Sequence, residues 1–307
     1  MRKLLSSLGL LVLLSFAVFV GVDLLPGDPV TARLGATASP ARIAEVRAHL
    51  GLDRPVLERY GSWVLGVVQG DLGVSASGRP VTDMLSDRVG NSVLLSLVTL
   101  VLLVPLSFGL AVWAAWRRSA DRVISLGALL LVSVPEFVVA GLLVLVFAVS
   151  LRWLPAVSLV PVGASPLSTP SVLVLPVLSL LLVGLAYAVR VIRSSAIGVL
   201  ASPHVEFMRL NGASPGLVLR QAVLPAVLPV AVQVWLVTGV GFVGGAVLVE
   251  KVFGYPGIGE LLVSSVQTGD LPVVQALVLI IGAAMLAALV LADWAVVVLT
   301  PRLRVAR

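Results

Sequence analysis

Few residues in this chain of 307 have the type and spacing for chemistry. They are two carboxylates set in apolar runs, Glu136 and Asp293, the histidines His49 and His204, the lysines Lys3 and Lys251, and the glycines of GVGFVG, Gly239 to Gly244. There is no cysteine, no His-x-x-x-His pair and no cluster of carboxylates in the apolar runs. Thiolate or imidazole metal sites and acid–base catalysis therefore lack their residues. A P-loop needs G-x-x-x-x-G-K-[ST], with its lysine against the phosphates. Lys3 precedes Leu4 and Lys251 precedes Val252, so this chain is not its own ATP-driven motor and is not expected to be an enzyme. GVGFVG matches the dinucleotide fingerprint in letters alone, because it lies in an apolar run without the strand before it or the acidic residue after it. Its glycines, with Gly241 and Gly245 at i and i+4, suit close helix packing or close backbone approach along a pore.

The elements that must position these residues are apolar. Hydrophobic residues make up 59% of the chain and charged ones 12%, against about 45–50% and about 25% in a soluble domain. The sequence is that of an all-α integral membrane protein. A span needs about 20 apolar residues, and six runs qualify: Leu4 to Val22, Val93 to Trp116, Val123 to Val149, Val172 to Val189, Ala222 to Val249 and Val273 to Leu299. The first follows Arg2-Lys3 but is too long for a signal peptide and lacks a small-x-small cleavage site. The net charge of +6 forms no basic stripe, so nucleic acid is not an expected partner.

Orientation follows from Lys and Arg in short loops. With the N-terminus inside, the inner segments hold Arg117, Arg118, Arg122, Arg190, Arg193, Arg209, Arg220, Arg302, Arg304 and Arg307, and the short outer loops only Arg152 and Lys251. Both termini are expected in the cytoplasm. This divides the chain into a first span (1–22), an extracytoplasmic segment (23–90), a five-helix core (91–299) and a cytoplasmic tail (300–307). In the outer segment Ser39 and Pro40 can start a helix carrying Ile43, Val46 and Leu50 on one face, with Gly51 as its stop. Val56, Tyr60, Trp63, Val64 and Val67 mark a second amphipathic helix. Both are expected on the outer membrane surface or capping the bundle.

Pro105, Pro135, Pro176 and Pro229 interrupt the spans, and a kinked helix can line a water-filled cavity. Intramembrane carboxylates default to a functional hypothesis. Asp293 is near enough to the inner end of its span to pair with Arg302. Glu136 lies deep in the third span, where it either lines a path or is held by a partner helix.

The polar stretch of residues 200–225 reads as two short helices on the cytoplasmic side. Ser202 supplies a capping hydroxyl and Pro203 the first helical position. Glu206 sits at the positive end of the helix dipole, Gly212 supplies a left-handed stop, and Ser214-Pro215 repeat the start. By residues alone, the segment is equally readable as a solvated linker between spans.

The spacing of Glu206, Gly212 and Leu224-Pro225 resembles the E-A-A-x-x-x-G-x9-I-x-L-P loop of bacterial ABC importer permeases. The likeness extends over nearly the whole chain, to the dipeptide/oligopeptide and nickel importer group. It is carried in order by LLPGDPV from Leu24, LGLDRPVLERYGSWV from Leu50, GDLGVS from Gly70, VPEFVVAGLLVLVF from Val134 and RWLPA from Arg152. VEKVFGYPGIGELL from Val249, GDLPVVQALVL from Gly269 and ADWAVVVLTPRLRV from Ala292 complete it. The resemblance implies a type I ABC importer permease fold in the bacterial cytoplasmic membrane. It implies a second homologous permease, two ATPase subunits carrying ATP and Mg, an extracytoplasmic substrate-binding protein and, in this chain, no cofactor.

It also implies a coupling helix of Pro203, His204, Val205, Glu206, Phe207, Met208, Arg209 and the Gly212 stop, docking in an ATPase groove. A translocation path would run near Pro135, Glu136, Gly241, Gly244 and Gly245. Departures from the family pattern are Phe207 and Met208 in place of two alanines, Ala222 in place of isoleucine, Glu136 in place of a small hydroxyl and Thr300 in place of aspartate. The family loop also has one more residue between the glycine and Arg220. The expected function is the permease subunit of an ATP-driven importer for di- or oligopeptides, with a nickel or metallophore importer as the alternative. A stand-alone secondary transporter or channel is the reading from another class, disfavoured because no inverted repeat is recognisable.

Overall fold

The computed structural model describes residues 2–23, 39–41, 44, 53–161 and 164–299, and these form helices with no strand among them. In chain order they are α1 (Arg2–Asp23), α2 (Val56–Val68), α3 (Val81–Trp116), α4 (Arg118–Val132), α5 (Glu136–Leu143), α6 (Ser171–Leu200), α7 (Pro203–Leu210), α8 (Pro215–Val218), α9 (Leu224–Phe253), α10 (Ile258–Thr268) and α11 (Leu271–Leu299). π-turns extend α5 over Val144–Ser150 and join α8 to α9 over Leu219–Val223.

By length and composition four described helical segments can each cross a membrane, or five if the bent α4–α5 pair is one span, and α1 adds a shorter apolar stretch, Gly9–Gly21. Burial ranks them. In α6 67% of the apolar window is buried, against 33% or less in the segments containing α3, α9 and α11. Thus α6 is the centre of the bundle, and the other three leave apolar faces for lipid or partner chains. Leu175, Leu180 and Ile192 of α6 anchor the main core, with Leu95 and Leu103 of α3 and Val227, Val234 and Val249 of α9. A Cβ at Gly184 would lie 2.8 Å from Cζ of Phe242, so this glycine permits the close α6–α9 approach. A smaller core joins the start of α3 to α10 and α11 through Val81, Leu85, Leu261, Val273 and Leu277.

The expected second amphipathic helix is α2, and it lies against α1. Tyr60 shares a 2.7 Å hydrogen bond with Ser15 and packs edge-on against Phe16 and Phe19, and Trp63 packs against Phe19. The expected helix after Ser39 begins at Pro40 and Ala41, and Ile43, Val46, Leu50 and Gly51 lie outside the described residues.

Two spans differ from the apolar runs. The second starts earlier, at Val81, because Pro80 leads into a helix whose first two turns pack on α10 and α11. The third is broken: α4 and α5 meet at 105° across Ser133–Pro135. Proline lacks the amide for a helical bond and biases the preceding residue away from helix, so the chain turns there.

Candidate functional site

Residues 200–225 form two capped helices and a turn. The Ser202 hydroxyl accepts from the Val205 amide at 3.4 Å, and Pro203 opens α7. At the other end Gly212 has φ +81°, where a side chain is strained, and Ala213 N donates to Met208 O at 3.0 Å. Ser214 caps α8 through Leu217 N at 3.4 Å. Val205 is fully buried and Met208 partly buried against the main core, so this face fastens α7 to the bundle. His204, Glu206, Phe207 and Arg209 are exposed, and Phe207 and Leu210 present 66% and 80% of their surface to solvent. Beside α7 a cavity of about 270 Å³ is lined by Trp116 of α3, Ile197 and Leu200 of α6, and Arg209. The two bulky departures thus part ways: Met208 packs inward, and Phe207 stands on the open face.

The residues named for a path are spread over two elements. Pro135 is the last residue of the α4–α5 break, and Glu136, half-buried, opens α5 on the face it shares with Ala140 and Leu143. α5 packs on α6 and α9. On α9, Gly241 is exposed with nothing within 4 Å of where a Cβ would stand, whereas at Gly244 a Cβ would lie 3.6 Å from the Met285 methyl of α11. Gly241 therefore faces open space and Gly244 packs on a neighbour. The side-chain surroundings of Gly245 lie outside the described residues. Asp293 is exposed on α11, and Arg302 lies outside the described residues.

A third cluster was missed by reading ionisable residues along the chain. Glu250, 1% exposed, ends the apolar length of α9. Its carboxylate accepts from the Ser92 hydroxyl at 2.6 Å, the Gly259 amide at 2.7 Å and the Glu260 amide at 3.2 Å. The Ile258 amide in turn donates to Ser92 at 2.9 Å. One carboxylate thus caps the first turn of α10 and ties it to α3. Around it Tyr255 donates to Asn91 O at 2.8 Å, Asn91 donates to Pro256 O at 2.9 Å, and Arg88 pairs with Glu260 at 2.5 Å. Glycine is required here: a Cβ on Gly257 would collide with the Glu250 carboxylate, and one on Gly259 with the Val247 backbone. Glu260 lies outside the spans. Burial alone would raise its carboxyl, but the Ser264 hydrogen bond and the Arg88 and Lys251 charges outweigh this and hold it below the usual range. Burial, then the Glu250 charge, pushes the Tyr255 phenol up, so it stays a donor.

Two further carboxylates link distant segments. Asp270, before α11, accepts from the Ser75 hydroxyl and, at 3.1 Å, from Ala76 N. Asp121 of α4 pairs with Arg193 of α6. The partners are far apart in sequence, and no local pattern points from one to the other.

Residues 104–305 match the family described as binding-protein-dependent transport system inner membrane component, and residues 1–81 match the corresponding N-terminal family. The chain belongs to that family. It is a multi-pass inner-membrane permease of an ABC importer, with the type I permease fold, and such permeases are not themselves enzymes but work with ATPase and substrate-binding partners. Similar proteins include a "Probable peptide ABC transporter permease protein" of Sinorhizobium fredii, 31% identical over 99% of this chain and 98% of that one. Another is a "Glutathione transport system permease protein" of Escherichia coli, 36% identical over 91% of this chain and 90% of that one.

Proposed function

We propose that this permease is one of two homologous membrane subunits that move di- or oligopeptides into the cell, and that α7 is the point at which partner ATPases drive it. The observation that carries this is the two-faced α7, fastened by buried Val205 and Met208 and open at Glu206, Phe207 and Leu210. The relatives' names supply the substrate class, since one is a peptide permease and another serves glutathione, itself a peptide.

In this reading α7 and both termini face the cytoplasm, and α2 and α10 the outer side. Substrate arrives on a binding protein that docks on the outer segments. ATP, with Mg, closes the two ATPases, which press on α7, with His204, Glu206, Phe207 and Arg209 in the groove and Gly212 preserving the turn. The α8–π-turn–α9 continuation carries the movement along a helix of 30 residues, about 45 Å at the usual rise. The path passes Pro135, Glu136 and Gly241.

The test is uptake into proteoliposomes holding both permeases and both ATPases, supplied with the binding protein and ATP. Labelled di- and tripeptides should accumulate only with ATP. Accumulation of nickel or a metallophore instead would transfer the chain to the alternative substrate class, and uptake driven by an ion gradient without ATP would reject the coupling role.

A further inference from the structure

Between α3, α9, α10 and α11 lies a cavity of about 330 Å³, walled mainly by apolar side chains such as Val93, Leu97, Leu100 and Val243. Ser92, Glu250, Ile258 and Gly259 also line it. Those four are the hydrogen-bonded junction at the start of α10, so one end of the cavity is closed by the same contacts that hold α10 down. With 11 residues α10 is too short to span a bilayer. Its end is marked by Gly269 with φ +69°, and its start by the Gly254 turn with φ +59°. It is a short element between two left-handed turns, held to α3 and α11 by the small core around Leu261 and, at its start, to α3 and α9 by polar contacts.

We propose that α10 is the outer lid of this cavity and that Glu250 is its latch, a positioning residue that keeps the compartment closed to the outer side until α9 moves. The inference rests on the transport reading given above. Its physical basis is that Glu250 belongs to α9, the helix that continues from the α7–α8 segment, while every partner of its carboxylate belongs to α3 or α10. A shift or rotation of α9 withdraws the acceptor from Ser92 and from two amides together, which loosens the start of α10 in one step. Beside this latch, Arg88–Glu260 joins α3 to α10 and Asn91–Pro256 joins α3 to the turn before α10.

The chain has no cysteine, which makes the lid directly readable. Ser96 lines the cavity, and a Ser96→Cys variant in the assembled complex is treated from the outer side with a charged, membrane-impermeant maleimide. Labelling should be slow at rest and about tenfold faster when Glu250→Ala is added, the change expected when a closed state loses about 1.4 kcal/mol of preference. Ser92→Ala, which removes the α3 partner of Glu250 while keeping the carboxylate, should speed labelling as well, and covers the case in which Glu250→Ala does not assemble. Joining α3 to α10 through Arg88→Cys and Glu260→Cys with a short dimaleimide, in a chain that also carries Gly239→Cys as the cavity reporter, should hold outer labelling slow even with ATP and binding protein. Equal resting rates in the latch variants, or undiminished labelling in the cross-linked complex, would overturn the proposal. Because labelling does not depend on what is carried, a failure of the peptide assignment leaves this readout intact.

Discussion

Glu250 shows what one carboxylate does when it is the shared acceptor of a junction. In Glu250→Leu the Ser92 hydroxyl and the Gly259 and Glu260 amides lose their acceptor, and each buried unsatisfied group costs about 1–3 kcal/mol. A loss of about 3 kcal/mol or more is expected, read as a lower thermal midpoint in detergent. Gly259→Ala should be comparably harmful, since its Cβ meets the Val247 backbone. Along the sequence Glu250 lies within VEKVFGYPGIGELL, and nothing local in that segment says that its carboxylate reaches Ser92 of α3. Glu260 yields a pH dependence. Its folded-state carboxyl is held down, so its contribution is fully present above the unfolded value of about 4.3 and is lost as pH falls through the lowered one. Both Arg88 and Glu260 are partly exposed, which limits the pair to about 1 kcal/mol. The midpoint difference between wild type and Glu260→Gln should persist from pH 7 to about pH 5 and vanish at stronger acid. A difference that grows on acidification would contradict the pair.

At the level of elements, what was legible is what local chemistry encodes. Ser202-Pro203 and Ser214-Pro215 predicted two helix starts and Gly212 a stop, and the caps and the positive φ are there. Tyr60 and Trp63 predicted the inner face of α2, but not that this face meets α1, because periodicity says which side is covered and not by what. Tyr60→Ala removes both the hydroxyl shared with Ser15 and the ring against Phe16 and Phe19. It should free α2 enough that trypsin cuts at Arg59 several times faster in intact complexes, and an unchanged rate would mean that other contacts hold α2. Pro135 marked the place of the α4–α5 break. The 105° angle was not legible, since a proline removes one hydrogen bond and leaves the direction to packing. The Asp121–Arg193 and Asp270–Ser75 links were invisible for the same reason: long-range partners leave no local trace.

For the whole molecule, the distribution of burial is what ties fold to function. A bundle centred on α6, with apolar faces of α3, α9 and α11 left open, is the shape of a subunit completed by lipid and partner chains. In the proposed assembly α9 is its mechanical axis, with α7 near one end and the Glu250 junction at the other. The most direct measurement of that account is substrate-stimulated ATP hydrolysis by the reconstituted complex carrying Glu206→Arg or Gly212→Pro. The first reverses the charge on the open face of α7, and the second cannot adopt the +81° φ of the turn. Stimulation should be lost in both while the permease bundle still assembles; full stimulation in both variants would contradict α7 as the coupling helix.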